Sequence, residues 1–242
     1  MRQIAPSLYQ LNLGIANAYL IRSKNAVVLV DAGLQHSLPK VEHGLKRARL
    51  AWRDLTHIFI THAHPDHVGN FPEIARLSGA QVWAHRLEAP ILRGQRPVWL
   101  PDPQSLRWVD RWTRSLARLN RETQATGMVQ RELEDDEPLS HLVPDLRVVH
   151  LPGHSAGHTG FYNKLEGWLI GGDVMMNLVG LSFPMAAFTP DPAKAWRSIL
   201  RVATIQPKIL ALGHGSPLLN AEEALGRMSR RAQSELQRLE VG

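Results

Sequence analysis

Leu55-Thr56-His57-Ile58-Phe59-Ile60-Thr61-His62-Ala63-His64-Pro65-Asp66-His67 is the stretch on which the reading of this chain turns. Residues 55–60 form a compact apolar run that fits a buried strand. The run delivers the chain directly into Thr61 and then into four side chains of metal-ligand type, His62, His64, Asp66 and His67. In extended backbone alternate residues face one way, so His62 and His64 point together. Pro65 bends the chain and lets Asp66 and His67 turn toward a second point nearby. Imidazole nitrogens and carboxylate oxygens suit zinc, manganese or iron. A lone histidine is ordinarily a surface or core residue, but four ligand types within six positions favour a metal site.

Reading outward, residues 7–13, 16–22 and 26–30 are short strand-like segments separated by Gly14 and by Ser23-Lys24-Asn25. Asp31-Ala32-Gly33 ends the third. Residues 38–49 read as a helix with Val41, Leu45 and Ala48 on one face. Pro72 opens a helix that ends near Ser78-Gly79, and a strand follows at 81–84. In the second half, residues 146–151 lead into Pro152-Gly153-His154, and 159–164 pairs with 168–170 as a hairpin ending at Gly171-Gly172-Asp173. Residues 174–190 read as irregular. Asp191 is an N-cap with Pro192 at the first helical position, opening a helix to about Thr204. A strand at 208–212 ends at Gly213-His214-Gly215, and a C-terminal helix from Ala221 to about Glu240 carries Leu225, Met228, Ala232, Leu236 and Leu239 on one side.

His154, Asp173 and His214 thus also lie just beyond predicted strand ends. Strand ends in packed sheets share a rim, so all seven residues can converge. Glycines at 69, 153, 172, 213 and 215 permit the tight turns such loops need. Two blocks of strands followed by helices predict two mixed sheets packed face to face with helices outside.

The expected organisation is one domain over 1–242 with a helical insertion at about 86–137. Within it a helix at about 105–120 places Trp108, Trp112, Leu116 and Leu119 on one face and Arg107, Arg111, Arg114 and Arg118 on another. Glu132 to Glu137 reads as an acidic loop. The tryptophan face either caps the site, forms a homodimer contact, or packs on the fold. The chain has 242 residues, 44% hydrophobic and 21% charged, which suits an ordinary globular protein. No stretch approaches the ~20 apolar residues that span a bilayer, so no membrane association is expected. No apolar leader is visible, and the cytoplasm is the expected location. The absence of cysteine excludes disulfides and thiolate ligands. The net charge of +6 admits nucleic acid as a partner, but general arginine content explains it as well and a small-molecule substrate is favoured.

His62-Ala63-His64-Pro65-Asp66-His67 resembles the HxHxDH signature of the metallo-β-lactamase-like superfamily. Leu151-Pro152-Gly153-His154-Ser155-Ala156-Gly157-His158-Thr159 is similar to that family's second motif, Gly172-Asp173 to its third, Gly213-His214-Gly215 to its last, and Val30-Asp31-Ala32-Gly33 to its early strand-end motif. The resemblance implies an αββα sandwich and two divalent metal ions, zinc being expected and manganese or iron the alternatives. His62, His64 and His154 would hold one ion; Asp66, His67 and His214 would hold the other; Asp173 would bridge both. A metal-bridging hydroxide would be the nucleophile, with Asp66 orienting it or taking a proton. Asp31 and His158 are read as residues that orient ligands or loops.

Departures narrow the substrate. Asp173 at the bridging position argues against a true β-lactamase. The short stretch after His214 lacks the helical domain of a glyoxalase II-like enzyme. The tyrosines at 9, 19 and 162 do not supply the one that acyl-homoserine lactonases carry between the bridging aspartate and the last histidine. Met175, Met176, Leu178, Phe183 and Phe188 either line an apolar pocket or pack in the core. The leading expectation is a binuclear hydrolase of a small carboxylic ester, thioester or lactone. The alternatives are a persulfide dioxygenase-like mononuclear iron enzyme and a phosphodiesterase or nuclease acting on nucleic acid.

Overall fold

A computed structural model of the chain describes residues 1–100 and 126–241. The predicted helix at 105–120, with its tryptophan and arginine faces, lies outside the described residues.

Seven strands form the first sheet in simple order: β1 (Arg2–Gln3), β2 (Leu8–Asn12), β3 (Asn17–Arg22), β4 (Val27–Val30), β5 (His57–Ile60), β6 (Gln81–His85) and β7 (Arg131–Leu133). The β1–β4 part is antiparallel, and β4 through β7 run parallel. The second sheet has β8 (Leu146–His150), β9 (Thr159–Asn163), β10 (Trp168–Gly172) and, beyond a short β11–β12 hairpin, β13 (Ile209–Leu212), in the order β13-β10-β9-β8. The hairpin pairs Met176–Asn177 with Leu181–Ser182. Helices α1 (Leu38–Arg47), α2 (Pro65–Val68), α3 (Phe71–Ser78) and α4 (Ala89–Leu92) belong to the first half, and α5 (Pro192–Ile205) and α6 (Glu222–Val241) to the second.

The layering follows from the two-residue period of the strands. Tyr19, Ile21, Val28, Val30, Phe59 and Trp83 point into a core that they share with Val148, Phe161, Trp168, Ile170 and Ala211 of the other sheet. The intervening residues Leu20, Leu29, Ile58, Ile60 and Val82 pack outward under α1 and α3 through Val41, Leu45, Phe71 and Ile74. On the far side Val149, Leu169, Leu210 and Leu212 pack against Trp196, Ile199 and Val202 of α5 and Leu225, Met228 and Ala232 of α6. The order of layers is therefore helix, sheet, sheet, helix. Each such aliphatic side chain contributes about 1.5–3 kcal/mol by leaving water. Phe59 anchors the sheet-to-sheet contact, stacked on Trp83 at 5.5 Å and on Phe161 at 4.9 Å between centroids.

Three expectations are corrected. Arg131–Leu133 is a strand of the large sheet, paired in parallel with Trp83–His85, so Glu132 and Leu133 of the expected acidic loop are sheet, and residues 134–137 alone form the turn. Residues 174–190 contain the β11–β12 hairpin and a 3-10 turn at Ala186–Phe188. Leu239, placed on the buried side of the last helix, is half exposed while Leu225, Met228 and Ala232 are covered. Among the described residues no helix is long and apolar enough to cross a membrane.

His85 closes β6 and stacks flat on His150 at the end of β8, 4.3 Å between centroids. Burial, and then the neighbouring His150, pushes the His85 imidazole down to about 4. An unfolded chain protonates this residue near pH 6.5. Between pH 6.5 and 4 the unfolded state therefore takes up a proton that the folded state refuses, and stability falls as pH drops through that window. In chelator-treated protein, the thermal midpoint should drop less between pH 7 and pH 5 for His85→Gln than for the wild type. An unchanged pH difference would contradict the assignment.

Candidate metal centre

The strands determine where the site lies. β4 and β5, parallel neighbours, end on one edge of the first sheet, and β8, β10 and β13, parallel or two antiparallel steps apart, end on one edge of the second; the contacts that follow bring the two edges together. The two sheets are tied there by Asn17, whose amide side chain donates to the Leu212 and Gly215 carbonyls at 3.0 and 2.7 Å, and by the Tyr19 hydroxyl, which donates to Leu212 O at 2.7 Å. Thr159 N donates to Thr61 O at 2.9 Å, joining the start of β9 to the residue that follows β5.

His64 has extended backbone (φ −69°, ψ 141°) and precedes Pro65 at the start of α2. The single turn of α2 carries Asp66 and His67 back toward the rim. At the end of β10 the register shifts between Ile170 and Gly172, and Gly172 takes φ +51°, which turns the chain into Asp173. A Cβ on Gly172 would stand 2.8 Å from His158 Nε2 and 3.0 Å from Thr61 Cβ, so glycine is required there.

All seven expected ligand residues meet. The ligand-type atoms of His62, His64 and His154 lie within 4.8 Å of one another, as do those of Asp66, His67 and His214, and those of His62, His67 and Asp173. Asp173 sits between the two triads. Its Oδ2 is 3.1 Å from His214 Nε2 and 3.5 Å from His154 Nε2, and its Oδ1 is 3.3 Å from His67 Nε2. Asp66 Oδ2 is 3.3 Å from His214 Nε2.

The other ring nitrogens are already engaged, which fixes the ring orientations. His67 Nδ1 donates to Asp31 Oδ2 at 2.8 Å, and His214 Nδ1 donates to the Ile15 carbonyl at 2.9 Å. His62 Nδ1 meets Thr61 Oγ1 at 3.0 Å, and His154 Nδ1 meets Thr189 Oγ1 at 3.4 Å. Asp31 also accepts from Thr61 N and Thr61 Oγ1, both at 2.8 Å. Its backbone stands at φ +63°, a conformation aspartate tolerates better than most residues. His158 donates from Nδ1 to Leu151 O at 3.0 Å and accepts the Asp173 N–H at Nε2, 2.9 Å away. Asp31 thus touches the His67 ring, and His158 holds the backbone of the central carboxylate.

The arrangement fits a cation. His62 Nε2, His67 Nε2 and Asp173 Oδ1 are buried without a hydrogen-bond partner, and all three point into the cluster. An unsatisfied buried polar atom costs about 1–3 kcal/mol, so three at one point call for positive charge. The electrostatics agree. Burial pushes His62 and His154 well down, reinforced by the neighbouring imidazoles. Burial also opposes charge on His214, but the Asp173 and Asp66 carboxylates outweigh it and push the ring up to about 10. His67 is raised in the same way by Asp173, Asp66 and Asp31. The carboxylates of Asp66 and Asp173 are held low against burial by His67 and His214.

Beside the cluster opens a cavity of about 330 Å³, walled by Ile15, Met176, Leu178, Met185 and Phe188. Met175 and Phe183, also considered for this wall, pack instead in the outer core, Phe183 against Trp196 at 4.1 Å. Buried residues near the site that carry no sequence signal include Thr61, Thr189 and Glu88, whose carboxylate accepts from Ala63 N, Ser155 Oγ and Gly157 N.

A four-layered αββα sandwich with a histidine-aspartate cluster on its rim defines a metallo-hydrolase class of fold. A model of the metallo-beta-lactamase superfamily matches residues 11–214, and the chain belongs to that family. It is 28% identical over 236 residues to the probable metallo-hydrolase YflN of Bacillus subtilis, covering 89% of this chain and 86% of that protein. It is 30% identical over 171 residues to the human acyl-coenzyme A thioesterase MBLAC2, covering 66% of this chain and 58% of that one. A solved metallo-beta-lactamase family protein from Thermus thermophilus, TTHA1429, superposes with a TM-score of 0.72 at 26% identity, over 98% of this chain and 83% of that one.

Proposed function

We propose that this protein is a binuclear metal-dependent hydrolase of small carboxylic esters, thioesters or lactones with an apolar acyl part. The observation that carries the reading is the position of Asp173, with one oxygen toward His67 and the other toward His154 and His214. His62, His64 and His154 would hold one ion, Asp66, His67 and His214 the other, and Asp173 both. Divalent ions so held, zinc being the expected one, supply Lewis acidity and lower the pKa of water. The protein's own residues do the rest. Asp66 lines the cavity and is the more exposed of the two carboxylates, 17% against 5% for Asp173. Its Oδ2 is placed to orient an attacking water and take its proton. The apolar wall accepts the acyl group and excludes bulk water from the carbonyl. A thioesterase among the relatives accords with this substrate class.

Purified protein screened against esters, thioesters, lactones and phosphodiesters, with metal content measured on the same sample, tests the reading. The expected result is two divalent ions per chain and hydrolysis of a carboxylic substrate. One iron per chain with oxygen uptake on a persulfide, or hydrolysis confined to phosphodiesters, would replace it. Phe188→Ala should raise KM about tenfold for the substrate with the larger apolar acyl group, as removing apolar contact in a pocket does. Its kcat should change much less, and equal effects on large and small acyl groups would remove Phe188 from the acyl wall.

A further inference from the structure

Glu88 is a carboxylate only 1% exposed, and among the described residues no lysine or arginine pairs with it. A buried ionised carboxyl without a cation costs several kcal/mol, so its hydrogen bonds have to compensate. There are three. Oε2 accepts Ala63 N–H at 2.9 Å, and Oε1 accepts Ser155 Oγ–H at 2.7 Å and Gly157 N–H at 2.8 Å. Ala63 stands between His62 and His64. Ser155 follows His154, and Gly157 precedes His158. The carboxylate therefore joins the two loops that carry the first histidine triad, from a residue in neither of them.

A second observation concerns Gly157. A Cβ there would lie 2.9 Å from Glu88 Cγ, 2.9 Å from Glu88 Oε1 and 3.0 Å from Glu88 N. The glycine in the second motif leaves the room that Glu88 fills. His64 Nδ1 and His154 Nε2, one on each joined loop, stand 2.9 Å apart, and their rings meet edge to face at 4.6 Å between centroids.

We propose that Glu88 is a positioning residue that clamps the His62–His64 loop to the His154 loop and so sets the geometry of the first triad. The clamp itself is independent of any ion; its effect on metal retention rests on the hydrolase reading above. Glu88→Gln preserves size but must turn its NH₂ toward one of the three donors. With the carbonyl oxygen kept on Ser155 and Gly157, the NH₂ faces Ala63 N–H.

Two measurements separate the questions. In chelator-treated protein, amide hydrogen exchange at Ala63 should be at least tenfold faster in Glu88→Gln than in the wild type, with exchange in β3 and β10 unchanged. In zinc-loaded protein dialysed against a competing chelator, the variant should lose one ion about 10–100-fold more readily, the size of effect known for groups that orient ligands. It should keep the ion at Asp66, His67 and His214. Gly157→Ala, which displaces Glu88, should give the same loss, and combining the two changes should add little, because both remove one contact. Wild-type exchange at Ala63 in a folded variant overturns the clamp. So does equal loss of both ions together with faster exchange throughout both sheets, which marks general destabilisation. If the wild type retains neither zinc, manganese nor iron, the binuclear hydrolase reading falls, and the exchange rates still decide the clamp.

Discussion

Asp173→Ala is expected to cost the protein at least one metal ion and to slow hydrolysis by on the order of 10²–10³-fold, the scale seen when one key electrostatic group of a reaction centre is lost. The side chain makes the shared contact of the cluster, 3.1 Å from His214, 3.3 Å from His67 and 3.5 Å from His154. Alanine removes the one carboxylate that, among the described residues, reaches all three rings. It also leaves His67 and His214 with less negative charge than their environment is built around, and orphaning one side of a buried charged set costs about 3–5 kcal/mol. Asp173→Asn keeps the volume and one acceptor, so it should fold more nearly as the wild type while still losing metal. Elemental analysis, initial rates and thermal denaturation with and without chelator give the three readouts. A folded variant with both ions and a rate within twofold of wild type would end the bridging role.

Gly213→Ala should act almost as strongly through a single methyl group. The added Cβ would fall 2.0 Å from Asp173 Oδ1 and 2.7 Å from His67 Cε1. These atoms can retreat only by leaving the cluster. The expected cost in stability is that of overpacking, about 1–3 kcal/mol, whereas metal retention and activity should fall by about 10²-fold, as misplacement of reacting groups by an ångström does. Gly226→Ala is the control. That glycine lies within α6, and its Cβ would meet nothing nearer than Arg230 Nη1 at 3.8 Å. Alanine there should stabilise by roughly 0.5–1 kcal/mol and leave metal content unchanged. Equal behaviour of the two variants in metal retention would contradict the steric argument.

The cluster and the layers were both open to reading from residue order, for different reasons. His62, His64, Asp66 and His67 announce themselves by spacing. Asp173 and His214 do so by following apolar strands and adjoining glycines. The αββα layering follows from strand alternation, since Tyr19, Phe59 and Trp168 face one way and Leu20, Ile58 and Leu169 the other. Where reading stopped, the cause is physical. Arg131–Leu133 is an edge strand with two exposed charged residues, so no hydrophobic period marks it. The strands of the β11–β12 hairpin are two residues each, too short for any period. Glu88 resembles any surface glutamate, because its partners lie 25, 67 and 69 positions away in the chain. The shared rim of β4, β5, β8, β10 and β13 brings them together, and only the tertiary structure supplies it.

That rim also orders events in time. The cluster takes residues from His62 to His214 and from both sheets, so no half of the chain possesses a complete triad-plus-bridge before the sheets dock. Contacts this distant in sequence form late and slowly, after the entropy of closing long loops has been met. A ribosome must therefore release His214 before the centre can mature. An ion held as proposed would act as a latch: by binding the native state more tightly than the unfolded one it would shift the folding equilibrium by mass action, across two sheets whose own adhesion includes the sandwich core of Phe59, Trp83 and Phe161.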